Sequence, residues 1–146
     1  MDISLALTLP RDEQTVSVAR HIVRNAMEQV GVEATCVHDV ELALSEACTN
    51  VLLHSGPGDQ FVVRLDLDER LGVIRVIDVG RGFDSARLQA EESGIEAERG
   101  RGLGLMQALV DRVDLISRAE AGTIVTLEKV LTLTPKGLLA GPRKQV

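Results

Sequence analysis

Glu46 and Asn50 lie one helical turn apart in a segment whose apolar residues recur with a helical period. On a wheel of about 100° per residue, Ala43, His54, Ala47, Val40, Val51, Leu44, Val37 and Cys48 fall within roughly 140°, which is a core-facing arc. Asp39, Glu46 and Asn50 fall within about 40° of one another on the rim of that arc. A rim position is half-buried and aims a polar group into a cleft beside the core. The amide oxygen of Asn50 suits Mg²⁺, which takes one or two protein oxygens and fills its shell with phosphates and water. A carboxylate at Glu46 can take a proton from an attacking hydroxyl or orient it. By itself an E-x-x-x-N spacing is far more simply a solvated helix rim.

Two glycine-rich turns add to this pair. Asp78-Val79-Gly80-Arg81-Gly82-Phe83 follows a strand pattern directly. A carboxylate at a strand end can accept a hydrogen bond from the exocyclic amine of adenine, whereas guanine presents an acceptor there. Gly80 and Gly82 let the backbone turn sharply and come close to a flat base. Gly100-Arg101-Gly102-Leu103-Gly104 opens a helix pattern. Unpaired N–H groups at a helix start attract anions, and Arg99 and Arg101 add positive charge for a triphosphate. Each glycine costs helix stability, so a mere hinge explains this density less well. Two other nucleotide motifs are excluded. No lysine follows a glycine loop, the lysines being Lys129, Lys136 and Lys144, and Ser85, Leu105 and Gln107 stand where G-x-G-x-x-G needs its third glycine.

These residues need elements to hold them. Ser4 to Leu9 reads as a strand closed by Pro10. Asp12 or Thr15 can cap a helix to about Val30, ended by Gly31. Thr35 to His54 is a second helix, and Ser55 to Asp59 a turn. Phe61 to Asp68 and Leu71 to Val79 form a hairpin. The polar stretch Phe83 to Arg99 has no clear period and reads as a mobile loop. Leu103 to about Arg112 is a helix, and Val113 to Ser117 and Thr123 to Leu131 are the last strands. The order predicts an α+β chain: a two-layer α/β sandwich with a mixed, mainly antiparallel sheet and helices on one face. One domain over residues 1–134 is expected, with a flexible tail at 135–146.

Composition narrows the function. A chain of 146 residues with 45% apolar residues fills one core. It has two aromatic residues, Phe61 and Phe83, and a net charge of −6, which argues against a nucleic-acid surface. No apolar run reaches the roughly 20 residues of a membrane span, and Met1-Asp2-Ile3-Ser4 lacks the basic start of a signal peptide. Cys36 and Cys48, roughly 18 Å apart along one helix, cannot form a disulfide and read as reduced thiols of a cytoplasmic protein. Cys36, His38, Cys48 and His54 do not match a zinc spacing.

Taken in order, E46-x-x-x-N50-x-x-x-H54, D78-x-G80-x-G82-F83, G100-R101-G102-L103-G104-L105 and G122-T123 resemble the ATPase domain shared by gyrase, MutL and histidine kinases, the Bergerat-type ATP-binding fold. Within that superfamily the chain resembles the bacterial anti-sigma-factor serine/threonine kinases of the partner-switching type. Its length and Val18-Ala19-Arg20 suit that subgroup. The resemblance implies ATP and Mg²⁺ as cofactors, with Asn50 on the metal and Glu46 as general base. It implies Asp78 reading adenine with Thr123 in support, and Gly80 and Gly82 shaping the base pocket. Gly102 and Gly104 would hold phosphates, within an ATP-binding set that also takes in His54, Phe83, Gly100, Arg101 and Leu103. Residues 84–101 would be a lid, and Arg20 would face a partner.

The implied partners are a sigma factor, which is sequestered, and an anti-anti-sigma protein of the STAS type, which is phosphorylated. A homodimer is expected as well. The alternative is a module that binds nucleotide and partner without transferring phosphate, against which the intact Glu46 weighs. A detached histidine-kinase catalytic domain is disfavoured by the short lid and by the lack of a helical dimerisation segment with a phosphoacceptor histidine.

Overall fold

Alternating exposure along three segments shows how the sheet is made. In β1 (Ile3–Pro10) the residues Ile3, Leu5, Leu7 and Leu9 turn inward, and in β2 (Gln60–Leu67) and β3 (Leu71–Asp78) every second residue is buried. Period-two burial means one face is packed and the other is not. The computed structural model describes residues 1–54, 60–78, 103–118, 122–135 and 137–140. Gly80, Gly82, Phe83, the expected lid and Gly100, Arg101 and Gly102 lie outside the described residues, as does the turn expected at Ser55 to Asp59.

With β4 (Arg112–Arg118) and β5 (Gly122–Val130) the sheet has five strands in the order β1-β2-β3-β5-β4. Every pairing is antiparallel, so the expected mixed character is absent. The cause is the strand order. A helical crossover would make β4 a parallel neighbour of β3, but β5 is inserted between them.

Helix α1 (Glu13–Gln29) starts as the sequence indicates: the Asp12 side chain accepts a hydrogen bond from the Gln14 N–H. It buries Ala19, Val23 and Met27. The chain leaves it through Gly31, at φ +91°, a conformation that favours glycine. Helix α2 (Ala34–His54) buries Val37, Val40, Ala43, Leu44, Ala47, Cys48 and Val51, the arc drawn from the sequence. Residues 103–109 are helical, with Met106 and the following Val110 in the core. That helix stops short of the expected Arg112. Asp111 turns to β5 instead, its N–H donating to Glu128 O and its Oδ2 accepting from Val130 N. The helices and the inner face of the sheet share one core of Phe61, Leu65, Leu67, Val76, Val125 and Leu127 with the helix residues above.

The expected tail at 135–146 is corrected for residues 137–140. Leu138–Ala140 forms a 3-10 turn, Leu139 is fully buried, and its N–H donates to Val30 O. Two glycines allow the return: a Cβ on Gly31 would stand 2.2 Å from the Gly137 Cα.

Candidate active site

Asp78 ends β3, and Thr123 is the second residue of β5. In the β3–β5 register they follow directly on the Ile77–Ile124 pair, and on the other side Asp78 pairs with Phe61 of β2. All three point into the core. Asp78 is 0% exposed and Thr123 4%, and among the described residues these are the two buried polar side chains. Neither is without a partner. Burying a carboxylate costs several kcal/mol unless it is compensated, so a core that keeps one is built around a specific polar contact.

Helix α2 crosses this sheet with its carboxyl end over that row. At its start, the Cys36 Sγ–H lies 3.9 Å from Val130 O and Lys129 Nζ lies 3.5 Å from Asp39 Oδ2. At its end, Arg11 Nη2 donates to Leu52 O at 3.0 Å. Arg11 follows Pro10, which pairs with Gln60 beside the Phe61–Asp78 pair. The two anchors agree with the rise of each element. From Cys36 to Asn50 is about 21 Å of helix, and from Val130 to Thr123 about 23 Å of strand. Asn50 is therefore level with Asp78 and Thr123, and Glu46 sits one turn back.

The flanks of α2 face different neighbours. Glu41 takes the flank toward α1, where Arg20 Nε and Arg24 Nη1 each approach its Oε1 at 3.5 Å. Asp39, Glu46 and Asn50 share the opposite flank, and Glu46 and Asn50 are half-buried there. Lys129 fixes what that flank faces. Its Nζ donates to Leu109 O at 2.8 Å while pairing with Asp39. A lysine at the last carbonyls of a helix is favourably placed. The helix through 103–109 is thus pinned on the Glu46–Asn50 side.

Of the expected site residues, the structure brings Glu46, Asn50, Asp78 and Thr123 to one end of the α2–β3–β5 layer. Leu103 is half-buried against the core, and Gly104 is exposed with open space where a Cβ would be. His54 is the last residue of α2. Arg20 is held toward Glu41 with 38% of its side chain exposed. Sequence reasoning missed Arg11 and Lys129, the residues that position α2 and the 103–109 helix. Arg11 carried a weak signal, a cation just after a strand-ending proline. Lys129 carried another: it occupies an inward position of an otherwise apolar alternation. Among the described residues no cluster of three or more His, Cys, Asp or Glu could hold a metal by itself. An ion here would need oxygens from a ligand besides Asn50.

Two other features stand apart from this site. Burial pushes the Cys48 thiol up to about 12, which keeps it protonated and disfavours it as a thiolate nucleophile. A cavity of about 250 Å³ lies at the far end of β3 from Asp78. Asp2, Asp66 and Asp68 line it, a rim that repels phosphates.

The fold and site define an ATPase-type domain, and comparison with known proteins gives the same answer. The family model for the histidine kinase-like ATPase domain matches residues 9–129, and the chain belongs to that family. It is similar to the serine-protein kinase RsbW of Bacillus pumilus, with 30% identity over 87% of this chain and 85% of that one. It is similar also to the anti-sigma F factor of Caldanaerobacter subterraneus, with 28% identity over 81% and 87%. Among solved structures, the RsbU and RsbW domains from Mycobacterium tuberculosis align with TM-score 0.68 and 22% identity, over 88% of this chain and 32% of that one. The SiaB–SiaC complex from Pseudomonas aeruginosa aligns with TM-score 0.54 and 18% identity, over 86% and 88%. These two likenesses bear on the fold.

Proposed function

We propose that this chain is an ATP- and Mg²⁺-dependent serine/threonine protein kinase that acts as an anti-sigma factor. In this reading it sequesters a sigma factor and phosphorylates an anti-anti-sigma partner of the STAS type. It works as a homodimer in the cytoplasm. What supports this reading most is the burial of Asp78 and Thr123 at one end of the sheet, with Asn50 level with them and Glu46 one turn back on the flank of α2 that faces the 103–109 helix. The chain's similarity to a serine-protein kinase and to an anti-sigma factor supports it. No described helix is long and apolar enough to cross a membrane.

Each residue has a physical task. The Asp78 carboxylate accepts from the adenine amine, and Thr123 beside it holds that contact in register. The amide oxygen of Asn50 would hold Mg²⁺, which when bound offsets phosphate charge. Glu46 orients the partner's hydroxyl and takes its proton as that oxygen bonds to the γ-phosphorus. The bond from phosphorus to the bridging oxygen breaks, and ADP leaves. Gly104, in the first turn of the 103–109 helix, and Gly102, just before it in sequence, would let phosphate oxygens approach and accept from backbone N–H groups. Arg20, partly exposed beside Glu41, contributes to the partner-facing surface.

The test mixes pure protein, Mg²⁺, labelled ATP and a STAS-domain substrate. Label is expected on serine or threonine of the substrate, and Glu46→Gln should abolish it while ATP binding persists. Tight partner binding without any transfer would replace the kinase reading by that of a nucleotide-gated binding module.

A further inference from the structure

Helices α1 and α2, joined by the short turn 30–33, run antiparallel, and the charged side chains that meet between them each follow a core residue. Arg20 follows Ala19, Arg24 follows Val23, and Glu41 follows Val40. A right-handed helix puts residues that precede a core residue on the opposite flank. On α2 these are Asp39, Glu46 and Asn50, with Leu42 on the outer edge of the same flank, one turn before Glu46. On the 103–109 helix they are Leu105 and Leu109, ahead of Met106 and Val110. That helix has its carboxyl end at Lys129, by the Val130 end of β5, and buries Met106 completely. It therefore runs back over the sheet, antiparallel to α2, and the two sets of residues face each other.

A groove thus runs between the two helices, with Glu46 and Asn50 on one wall. Lys129 closes one end, bonded to the Leu109 carbonyl and paired with Asp39. Along the axes Leu42 lies about 4.5 Å from Asp39, Leu105 about 6 Å from Leu109, and Glu46 about 10.5 Å from Asp39. Leu42 and Leu105 therefore flank the groove just short of Glu46, on the side away from Asn50. Leu42 is 39% exposed and Leu105 44%. Exposed leucines scattered singly are ordinary. A facing pair beside a carboxylate that must receive a hydroxyl is a seat for a side chain.

We propose that Leu42 and Leu105 seat an apolar side chain of the protein substrate, two residues from the serine or threonine that is phosphorylated. The proposal rests on the kinase reading above and names what that substrate must carry. A hydroxyl taken up by Glu46 has to enter this groove as part of a chain. From Asp39 to Asn50 is about 16.5 Å, room for about five extended residues. In an extended chain every second side chain points the same way, roughly 6.6 Å apart. With the hydroxyl at Glu46, the side chain two positions along reaches the level of Leu42 and Leu105, about 6 Å back along α2. An apolar group there takes both leucines out of water, whereas an acidic one would oppose Glu46. Held at this second point, the hydroxyl is oriented as well as brought near.

Initial rates of phosphate transfer from ATP to a STAS-domain protein test the proposal. Leu42→Ala and Leu105→Ala should each raise KM for that protein at least about fivefold, with affinity for an ATP analogue unchanged. Leu42→Met, which keeps the apolar volume, should stay within about twofold of wild type. In the substrate, alanine in place of the apolar residue two positions from the phosphorylated one should raise KM as much. Combined with Leu105→Ala it should add less than about twofold, since both changes remove one contact. Thermal unfolding shows that each variant is folded. A wild type that transfers no phosphate overturns the kinase reading, and this seat with it. Transfer with KM unmoved in both alanine variants overturns the seat alone. So does efficient transfer to a substrate with no apolar residue two positions before or after the phosphorylated one. An unmoved KM with weakened sigma-factor binding would give the two leucines to that partner, and it too overturns the proposal.

Discussion

Asp78 and Thr123 each lie one residue beyond the Ile77–Ile124 pair that ends the β3–β5 ladder, and both side chains are buried. Few cores keep a carboxylate there without use for it. Removing its charge should change ligand recognition far more than folding.

Asp78→Asn is therefore expected to weaken ATP binding about 10- to 100-fold, the worth of a charged hydrogen bond. The amide also presents an N–H₂ that guanine can accept, so the preference for ATP over GTP should narrow. Stability should hold or rise, since an isosteric neutral group replaces a buried charge. Titration with fluorescent ATP and GTP analogues, alongside urea unfolding, separates the two effects. Lost stability with unchanged affinity would make Asp78 a purely structural residue.

Lys129 ties three elements together: its own strand, the Leu109 carbonyl and Asp39 of α2. Lys129→Met keeps the stem and removes the donor. The expected cost is about 1–2 kcal/mol, because the carbonyl loses its partner in a half-buried place. Hydrogen exchange should quicken in 103–110 more than in β1 or β2. Uniform quickening would mean that Lys129 stabilises the fold at large and is no specific pin.

Much of this was legible in the sequence, for a physical reason. Periodicity records which side chains are buried, so the α2 arc, the Asp12 cap and the β2–β3 hairpin could all be read from spacing. It does not record what they are buried against. The place of β5 between β3 and β4 was invisible, and so was the purely antiparallel sheet. Lys129 and Arg11 were missed likewise, since their partners lie 20 and 41 positions away. The carboxylate of Asp78 could be singled out by its type and its place after a strand pattern, and the structure buries it at the end of β3. The site was illegible where position comes from a distant clamp.

Burial raises the Cys48 thiol to about 12, against an ordinary 9.0, by penalising the thiolate. The thiol form is favoured by folding, so its contribution to stability is full below about pH 9. It is lost as pH rises from there toward 12, because the unfolded chain ionises first. Stability of a Cys36→Ser variant should fall across that window, and the additional Cys48→Ala change should remove much of the slope. At pH 8 about one folded thiol in 10⁴ is ionised, so alkylation should proceed through unfolding. Rapid labelling of the folded protein would contradict this.

Gly31 carries two constraints that can be separated. Its φ of +91° disfavours any side chain, and a Cβ there would meet the Gly137 backbone. Gly31→Ala should cost about 2–4 kcal/mol, measured by urea unfolding. Removing residues 135–146 deletes the clash but also the buried Leu139, at about 1.5–3 kcal/mol. In the shortened chain Gly31→Ala should cost mainly the backbone penalty, about 1–2 kcal/mol, since only the Thr134 side chain remains close to the new Cβ. The two changes should then be non-additive by at least about 1 kcal/mol. Equal costs in both chains would mean that Gly31 serves the turn after α1 alone, and that the return of residues 137–140 makes no demand on it.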